Sequence, residues 1–320
     1  MLSVEGFFSG LKYESTRLFN LEGIILGAFE QDSLGSPEWL LINHPDWPKQ
    51  VKTCMTTRLG GVSGSPFESF NLGSHVGDDP QKVAQNRDLL AQSLGIQPLF
   101  LNQVHGNHVH EIGAHAGQGA WEASAATVIN ADACFTKEVG AACTIMVADC
   151  LPVLLTDRGG SFVAAAHAGW RGLSGVGCPG NKNVLESLRD ALIQKSLLRA
   201  ENMKDCIAWL GPCIGPKEFE VGEEVKSAFN SLKFLSNSQL DSYFVPITNN
   251  HEGRNFGAIA PKWWANLAGL ARLNLNSMGV HQVLGNDGTD KWCTLKNVEQ
   301  FFSHRRDKRT GRQAALIWIN

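Results

Sequence analysis

The chain has 320 residues, 43% of them hydrophobic, with a formal net charge of −3 and eight cysteines. That is enough apolar material for a full core. The charge gives no electrostatic reason to expect nucleic acid, since the strongest basic cluster, His304 to Arg312, is interrupted by Asp307.

The cysteines (Cys54, Cys134, Cys143, Cys150, Cys178, Cys206, Cys213 and Cys293) are scattered without short paired spacings. This argues against a disulfide framework and for reduced thiols in the cytoplasm. Residues 1 to 38 lack a basic leading region, and their most apolar piece, Leu21 to Phe29, is short and carries Glu22. Neither a signal peptide nor a membrane span is expected. The segment through Pro37 has no strong period and ends in turn-like residues, so residues 1–38 read as a surface appendage without catalysis, and 39–320 as the catalytic domain.

Trp39 to Asn43 and Val51 to Thr57 read as strands. The second leads into Arg58-Leu59-Gly60-Gly61-Val62-Ser63-Gly64, where backbone N–H groups and a guanidinium could meet an anion; an ordinary turn with a surface Arg explains the same residues equally well. Asp79 can cap a helix that has Pro80 at its first position, Val83, Arg87, Leu90 and Leu94 along one side, and Gly95 as its stop. Leu99 to Val104 is another apolar strand, ending at His105-Gly106. His108 and His110 alternate on one strand face, a spacing that metal pairs use but that two hydrated surface histidines share.

A Gly- and Ala-rich connection, Gly113 to Ala126, and Asn130-Ala131-Asp132-Ala133 lead into Ala141 to Leu173. Here Ala142 to Ala148 and Ser161 to Ala166 are short, apolar and flanked by Gly or Asp, as buried strands are. Cys150 and His167 follow them, and ligand sites in α/β folds gather at strand ends. Asn183 with Glu186 forms a capping-box pattern before the amphipathic stripe Val184, Leu188, Ala191 and Leu192. Cys206 to Leu210 is a strand, and Gly211-Pro212-Cys213-Ile214-Gly215-Pro216 reads as a rigid cavity wall. Pro261 opens a predicted helix with Trp264, Leu267, Ala268, Ala271, Leu275 and Met278 at three- and four-residue steps. Val280 to Leu284 and Ala314 to Ile319 complete an alternation that predicts one α/β domain, a mixed β-sheet layered by helices.

His105, Cys150 and His167 each follow a predicted strand, and three N/S ligands with one open position are how catalytic zinc is usually held, lowering the pKa of a water there toward ~7. Asp149, or another carboxylate nearby, could orient a ring N–H or handle a proton. The spacings of 45 and 17 residues match no short zinc motif, and any one of the three alone is more simply a buried Cys or a hydrogen-bonded core His. A second reading makes Cys150 a nucleophile with His167 as its base. The two compete, because zinc would quench the sulfur. A closed site, with Cys213 or His108 as a fourth ligand, would instead make a non-catalytic module in which metal only fastens strands.

CMTTRLGGVSGSPFESFNLGSHVGD, LNQVHGNHV, ADACFT, VADCLPVLL, AAHAGWRGL, AWLGPCIGP, FEVGEEV and FFSHRRDKRTGRQAALIWI, in this order, resemble the YfiH family over about residues 40 to 320. Its members carry the names laccase-domain protein, polyphenol oxidase and purine nucleoside phosphorylase. The resemblance implies an α/β fold and a metal, zinc or alternatively copper, held by His105, Cys150 and His167. It also implies phosphorolysis of adenosine, inosine and methylthioadenosine, and deamination of adenosine. The partners would then be a purine nucleoside and phosphate, with no obligate protein partner. Side-chain chemistry nominates Arg58 and Arg171, within the matching loops, for phosphate or substrate. Hydrolytic editing of a peptidoglycan precursor is the alternative that some relatives suggest. Multicopper oxidation demands several His-x-His pairs, and this chain has only His108/His110.

Overall fold

A strand that is apolar on both faces can exist only between two layers, and several runs of this chain are of that kind. The computed structural model describes residues 19–21, 24–28, 38–42, 44–113, 129–232, 237–247 and 260–320. Its strands are, in chain order, β1 (Phe19–Leu21), β2 (Ile24–Ala28), β3 (Glu38–Ile42), β4 (Val51–Thr56), β5 (Gln97–Phe100), β6 (Val109–Glu111), β7 (Ala133–Thr136), β8 (Ala141–Val147), β9 (Leu151–Asp157), β10 (Val163–Ala168), β11 (Cys206–Leu210), β12 (Glu220–Gly222), β13 (Phe244–Pro246), β14 (Lys262–Ala265), β15 (Gln282–Gly285) and β16 (Gln313–Ile319). The helices are α1 (Pro80–Leu94), α2 (Trp170–Ser174), α3 (Val184–Gln194), α4 (Glu223–Ala228), α5 (Asn237–Asp241), α6 (Leu267–Ser277) and α7 (His304–Asp307).

The expected mixed α/β fold is present, with the strands divided among three sheets. The first has the order β1-β2-β3-β4-β16-β8-β5, the second β15-β11-β9-β10-β7-β6, and a small third β12-β14-β13. Most neighbours are antiparallel; β5 with β8, β6 with β7 and β11 with β15 are parallel.

The two-residue period of a strand explains the layering. On β8, Cys143, Ile145 and Val147 join Val163, Ala165, Ile207 and Trp209 of the second sheet in a core between the sheets. Ala142 and Met146, on the other face of β8, pack with Leu90 of α1. On β10, Ala164, Ala166 and Ala168 turn instead toward Leu188 of α3 and Ala271 of α6. Each fully buried Leu or Val of these layers contributes about 1.5–3 kcal/mol by leaving water.

The helix ends follow the sequence closely. Asp79 accepts from the Gln81 N–H at 2.9 Å and Gly95 closes α1 at φ +64°. Asn183 and Glu186 form a full capping box on α3. The helix predicted from Pro261 is different: residues 262–265 are strand β14, and α6 starts only after Asn266, whose side chain accepts from the Gly269 N–H at 2.8 Å. The three- and four-residue steps run back through Trp264, but pairing with β12 and β13 claims that stretch first.

Within the expected appendage, β2 pairs with β3 and so extends the first sheet; residues 1–18, 22–23 and 29–37 lie outside the described residues, as do residues 114–128, which include all of the Gly113 to Ala126 connection but its first residue. Among the described residues, no helix is long and apolar enough to cross a membrane.

Candidate metal centre

Strand register brings the distant residues together. In the β9–β10 hairpin, Leu151 lies opposite Ala168 and Pro152 opposite His167. Cys150, one residue before β9, therefore meets His167, the penultimate residue of β10. On the other side of β10, Ala166 is paired with Ala133 of β7, so Asp132 stands at the same level and its carbonyl accepts from the His167 N–H at 2.7 Å. β6 runs parallel to β7, and the turn leading into it carries His105. All four arrive at one end of the second sheet.

The ligand atoms of His105, Cys150 and His167 lie within 4.8 Å of one another, a group of residues that could hold a metal ion. The two imidazoles meet edge to face, with ring centroids 4.8 Å apart. His105 is exposed, Cys150 half-buried and His167 only 3% exposed, so one side of the group faces outward. Two nitrogens and a thiolate suit zinc or copper, and an exposed side leaves room for a further ligand.

Glycine makes the close approach feasible. A Cβ on Gly169 would lie 3.0 Å from Cys150 Sγ and 3.3 Å from His105 Cδ2, and one on Gly172 would lie 2.9 Å from the Gly106 carbonyl oxygen. His105 at φ +61° and Asp149 at φ +97° occupy backbone regions that non-glycine residues seldom adopt, at a cost of order 1–3 kcal/mol each.

The site shifts its own proton equilibria. Burial alone would raise the Cys150 thiol, but the charge of His167 and hydrogen bonds from His105 and His167 outweigh it and bring it down to about 6. Burial would lower His167, yet the Cys150 thiolate and the bond to Asp132 take it up to about 9. In the metal-free protein these two groups thus form a thiolate–imidazolium pair.

Asp132 is the residue that sequence reasoning passed over. Fully buried, it accepts from His167 Nδ1 at 2.8 Å and from the N–H groups of Val104, His105 and Gly106 at 3.2, 2.9 and 2.7 Å. Burial would raise its carboxyl, but these bonds and the His167 charge hold it below the ordinary value. Its only sequence signal was its place in ADACFT, just before a strand.

The ring-orienting role considered for Asp149 therefore falls to Asp132. Asp149 turns away, accepting from the Thr294 hydroxyl at 2.7 Å and the Arg305 N–H at 2.6 Å. Arg58 is likewise occupied: its guanidinium donates to the Glu68 and Val298 carbonyls, both at 3.0 Å, and lies 5.0 Å from the Phe302 ring centroid. Arg171 is exposed at the start of α2, its guanidinium 4.3 Å above the Trp170 ring.

A different arginine is coupled to the centre by its charge. Arg312 interacts electrostatically with Cys150 and Asp149, though burial lowers its pKa. One edge of its guanidinium donates to the Thr310 and Gly311 carbonyls, at 3.2 and 3.0 Å. His75 has its pKa lowered by desolvation and by the positive charges of Arg312, Arg87, His105 and His167. His108 and Cys213 do not join the ligand group among the described residues; Cys213 is buried, accepts from Asn286 Nδ2 at 3.4 Å, and burial pushes its thiol up.

Fold and site together define a mixed α/β protein whose second sheet ends in a His–Cys–His group able to hold a metal ion. The family model described as "Multi-copper polyphenol oxidoreductase laccase" matches residues 52–320. A purine nucleoside phosphorylase of Pseudomonas aeruginosa is 42% identical over 277 residues, covering 86% of this chain and 97% of its own. Purine nucleoside phosphorylase YfiH of Escherichia coli is 41% identical over 279 residues, covering 86% and 97%. Among solved structures, a Neisseria meningitidis protein superposes with a TM-score of 0.70 at 37% identity, covering 88% of this chain and 99% of that one. The chain belongs to the YfiH, or laccase-domain, family.

Proposed function

We propose that this protein is a zinc-dependent purine nucleoside phosphorylase acting on adenosine, inosine and methylthioadenosine, and that it also deaminates adenosine. The observation that carries this reading is the convergence of His105, Cys150 and His167 in a chain whose similar relatives bear the name purine nucleoside phosphorylase. These three residues would hold the ion. When bound, it supplies a Lewis acid beside the substrate.

The remaining work belongs to the chain. Phosphorolysis places an anion against C1′ while the base leaves, so positive charge and positioning decide the rate. Arg312, whose charge couples to Cys150, is the residue we assign to the phosphate in place of Arg58, with His75, kept neutral by burial and by the positive charges around it, as a hydrogen-bonding neighbour. Arg171, exposed, stacked on Trp170 and two residues after the Gly169 that lies against Cys150 and His105, is assigned to the nucleoside. Asp149 acts by fixing the Cys150 turn, through Thr294 and Arg305.

Copper is the alternative ion for the same donors. Multicopper oxidation requires several copper centres, and among the described residues a single three-ligand group is formed. The test is protein stripped of metal, reloaded with zinc alone, and mixed with adenosine and phosphate. Adenine with ribose 1-phosphate, and inosine, are the expected products; the appearance of neither refutes the proposal.

A further inference from the structure

The geometry points to Asp132 as a positioning residue that sets both imidazoles of the centre at once. The inference rests on the reading of His105, Cys150 and His167 as metal ligands, and it concerns a side chain that does not itself join that group.

The argument starts from the two carboxylate oxygens. Oδ1 accepts from His167 Nδ1 at 2.8 Å and from the His105 N–H at 2.9 Å. Oδ2 accepts from the N–H groups of Gly106 at 2.7 Å and Val104 at 3.2 Å. In the neutral ring that a metal requires, an Nδ1 that donates to a carboxylate leaves Nε2 as the unprotonated nitrogen, so His167 would offer Nε2 to the ion. The three consecutive N–H groups wrap the same carboxylate and hold the turn in which His105 sits at φ +61°. One carboxylate thus fixes the tautomer and angle of one ligand and the backbone from which the other projects.

Both oxygens are required as acceptors, which makes asparagine a sharp probe. In one orientation the amide NH2 of Asp132→Asn would face His167 Nδ1 and the His105 N–H; in the other it would face the N–H groups of Val104 and Gly106. Either way a donor meets donors, and the first case also favours the wrong His167 tautomer. A residue that merely filled the core would affect folding and leave ion binding alone.

The experiment compares wild type with Asp132→Asn for zinc affinity, by competition against a chromophoric chelator, and for the thermal midpoint of the metal-free forms. The expected result is a zinc affinity weaker by roughly 10–100-fold in the variant, together with an altered thiolate charge-transfer band after cobalt substitution. Zinc binding as tight as wild type by a folded variant overturns the proposal. If the variant does not fold, nitrogen NMR of zinc-loaded wild type decides: a proton on His167 Nδ1 supports the assignment, and a metal on Nδ1 ends it. Wild type that binds no zinc overturns the metal reading itself, which is a distinguishable outcome.

Discussion

Asp149 and Arg305, far apart in the chain, are joined by a hydrogen bond of 2.6 Å in which the Arg305 backbone N–H donates to the Asp149 carboxylate. The second carboxylate oxygen takes the Thr294 hydroxyl at 2.7 Å. Because Asp149 immediately precedes Cys150, this latch ties the cysteine turn to the carboxyl-terminal segment and maintains a backbone at φ +97°.

Removing the latch should therefore cost stability in proportion to what is lost. Asp149→Ala abolishes both bonds and places a residue ill suited to positive φ; a loss of about 2–4 kcal/mol is expected in urea unfolding. Asp149→Asn keeps one acceptor and tolerates the conformation better, so it should lose less. Equal losses would show that the latch is not what holds the turn.

Gly169 tests packing against the sulfur. Its φ of −67° suits any residue, so Gly169→Ala introduces no backbone strain. The added methyl would stand 3.0 Å from Cys150 Sγ, and the sulfur must give by a few tenths of an ångström. Unfolding free energy should change by about 1 kcal/mol or less, whereas zinc affinity, measured by chelator competition, should fall. Unchanged affinity would mean that the sulfur is free to shift.

Arg58 and Arg312 should separate cleanly. Arg58→Met removes two hydrogen bonds to loop carbonyls and should lower stability by about 1–3 kcal/mol without raising KM for phosphate. Arg312→Met should raise KM for phosphate at least tenfold. The reverse pattern in steady-state kinetics would restore Arg58 to the anion site.

The pH dependence of the metal-free protein follows from the coupled pair. The Cys150 thiol lies at about 6 against an ordinary 9.0, so its stabilisation is complete above pH 9 and lost as pH falls through 6. His167 lies at about 9 against an ordinary 6.5, so its share is complete below pH 6.5 and lost as pH rises through 9. Between these limits the folded pair carries one proton on the ring and the unfolded chain one on the thiol, so the pair adds no net slope to stability. Alkylation of Cys150 by iodoacetamide, followed by mass spectrometry, should reach half its maximal rate near pH 6, and His167→Ala should move that midpoint upward. A wild-type midpoint near 9 would contradict the pair.

Much of the scaffold was legible because local rules sufficed. Asp79 and Gly95 bracket α1, Asn183 and Glu186 form the capping box of α3, and Cys206–Leu210 is a strand with the predicted bounds. The stretch 262–265 misled because its apolar spacing continues that of α6, while its conformation is set by hydrogen bonds to β12 and β13 that no local period records.

The sequence by itself determined which residue types were available for the centre and that Cys150 and His167 lay at strand ends, since apolar runs and the residues that stop them are local properties; the strand expected to run to Val104 instead ends at Phe100, so His105 sits in the turn before β6. Tertiary structure alone decided the geometry in which these three meet, that Asp132 rather than Asp149 bonds to the ring nitrogen, and that Arg58 is spent on loop carbonyls while Arg312 couples to Cys150. Each of those facts depends on cross-strand register and on which hydrogen-bond partners a distant segment supplies, and neither is encoded in the spacing of neighbours along the chain.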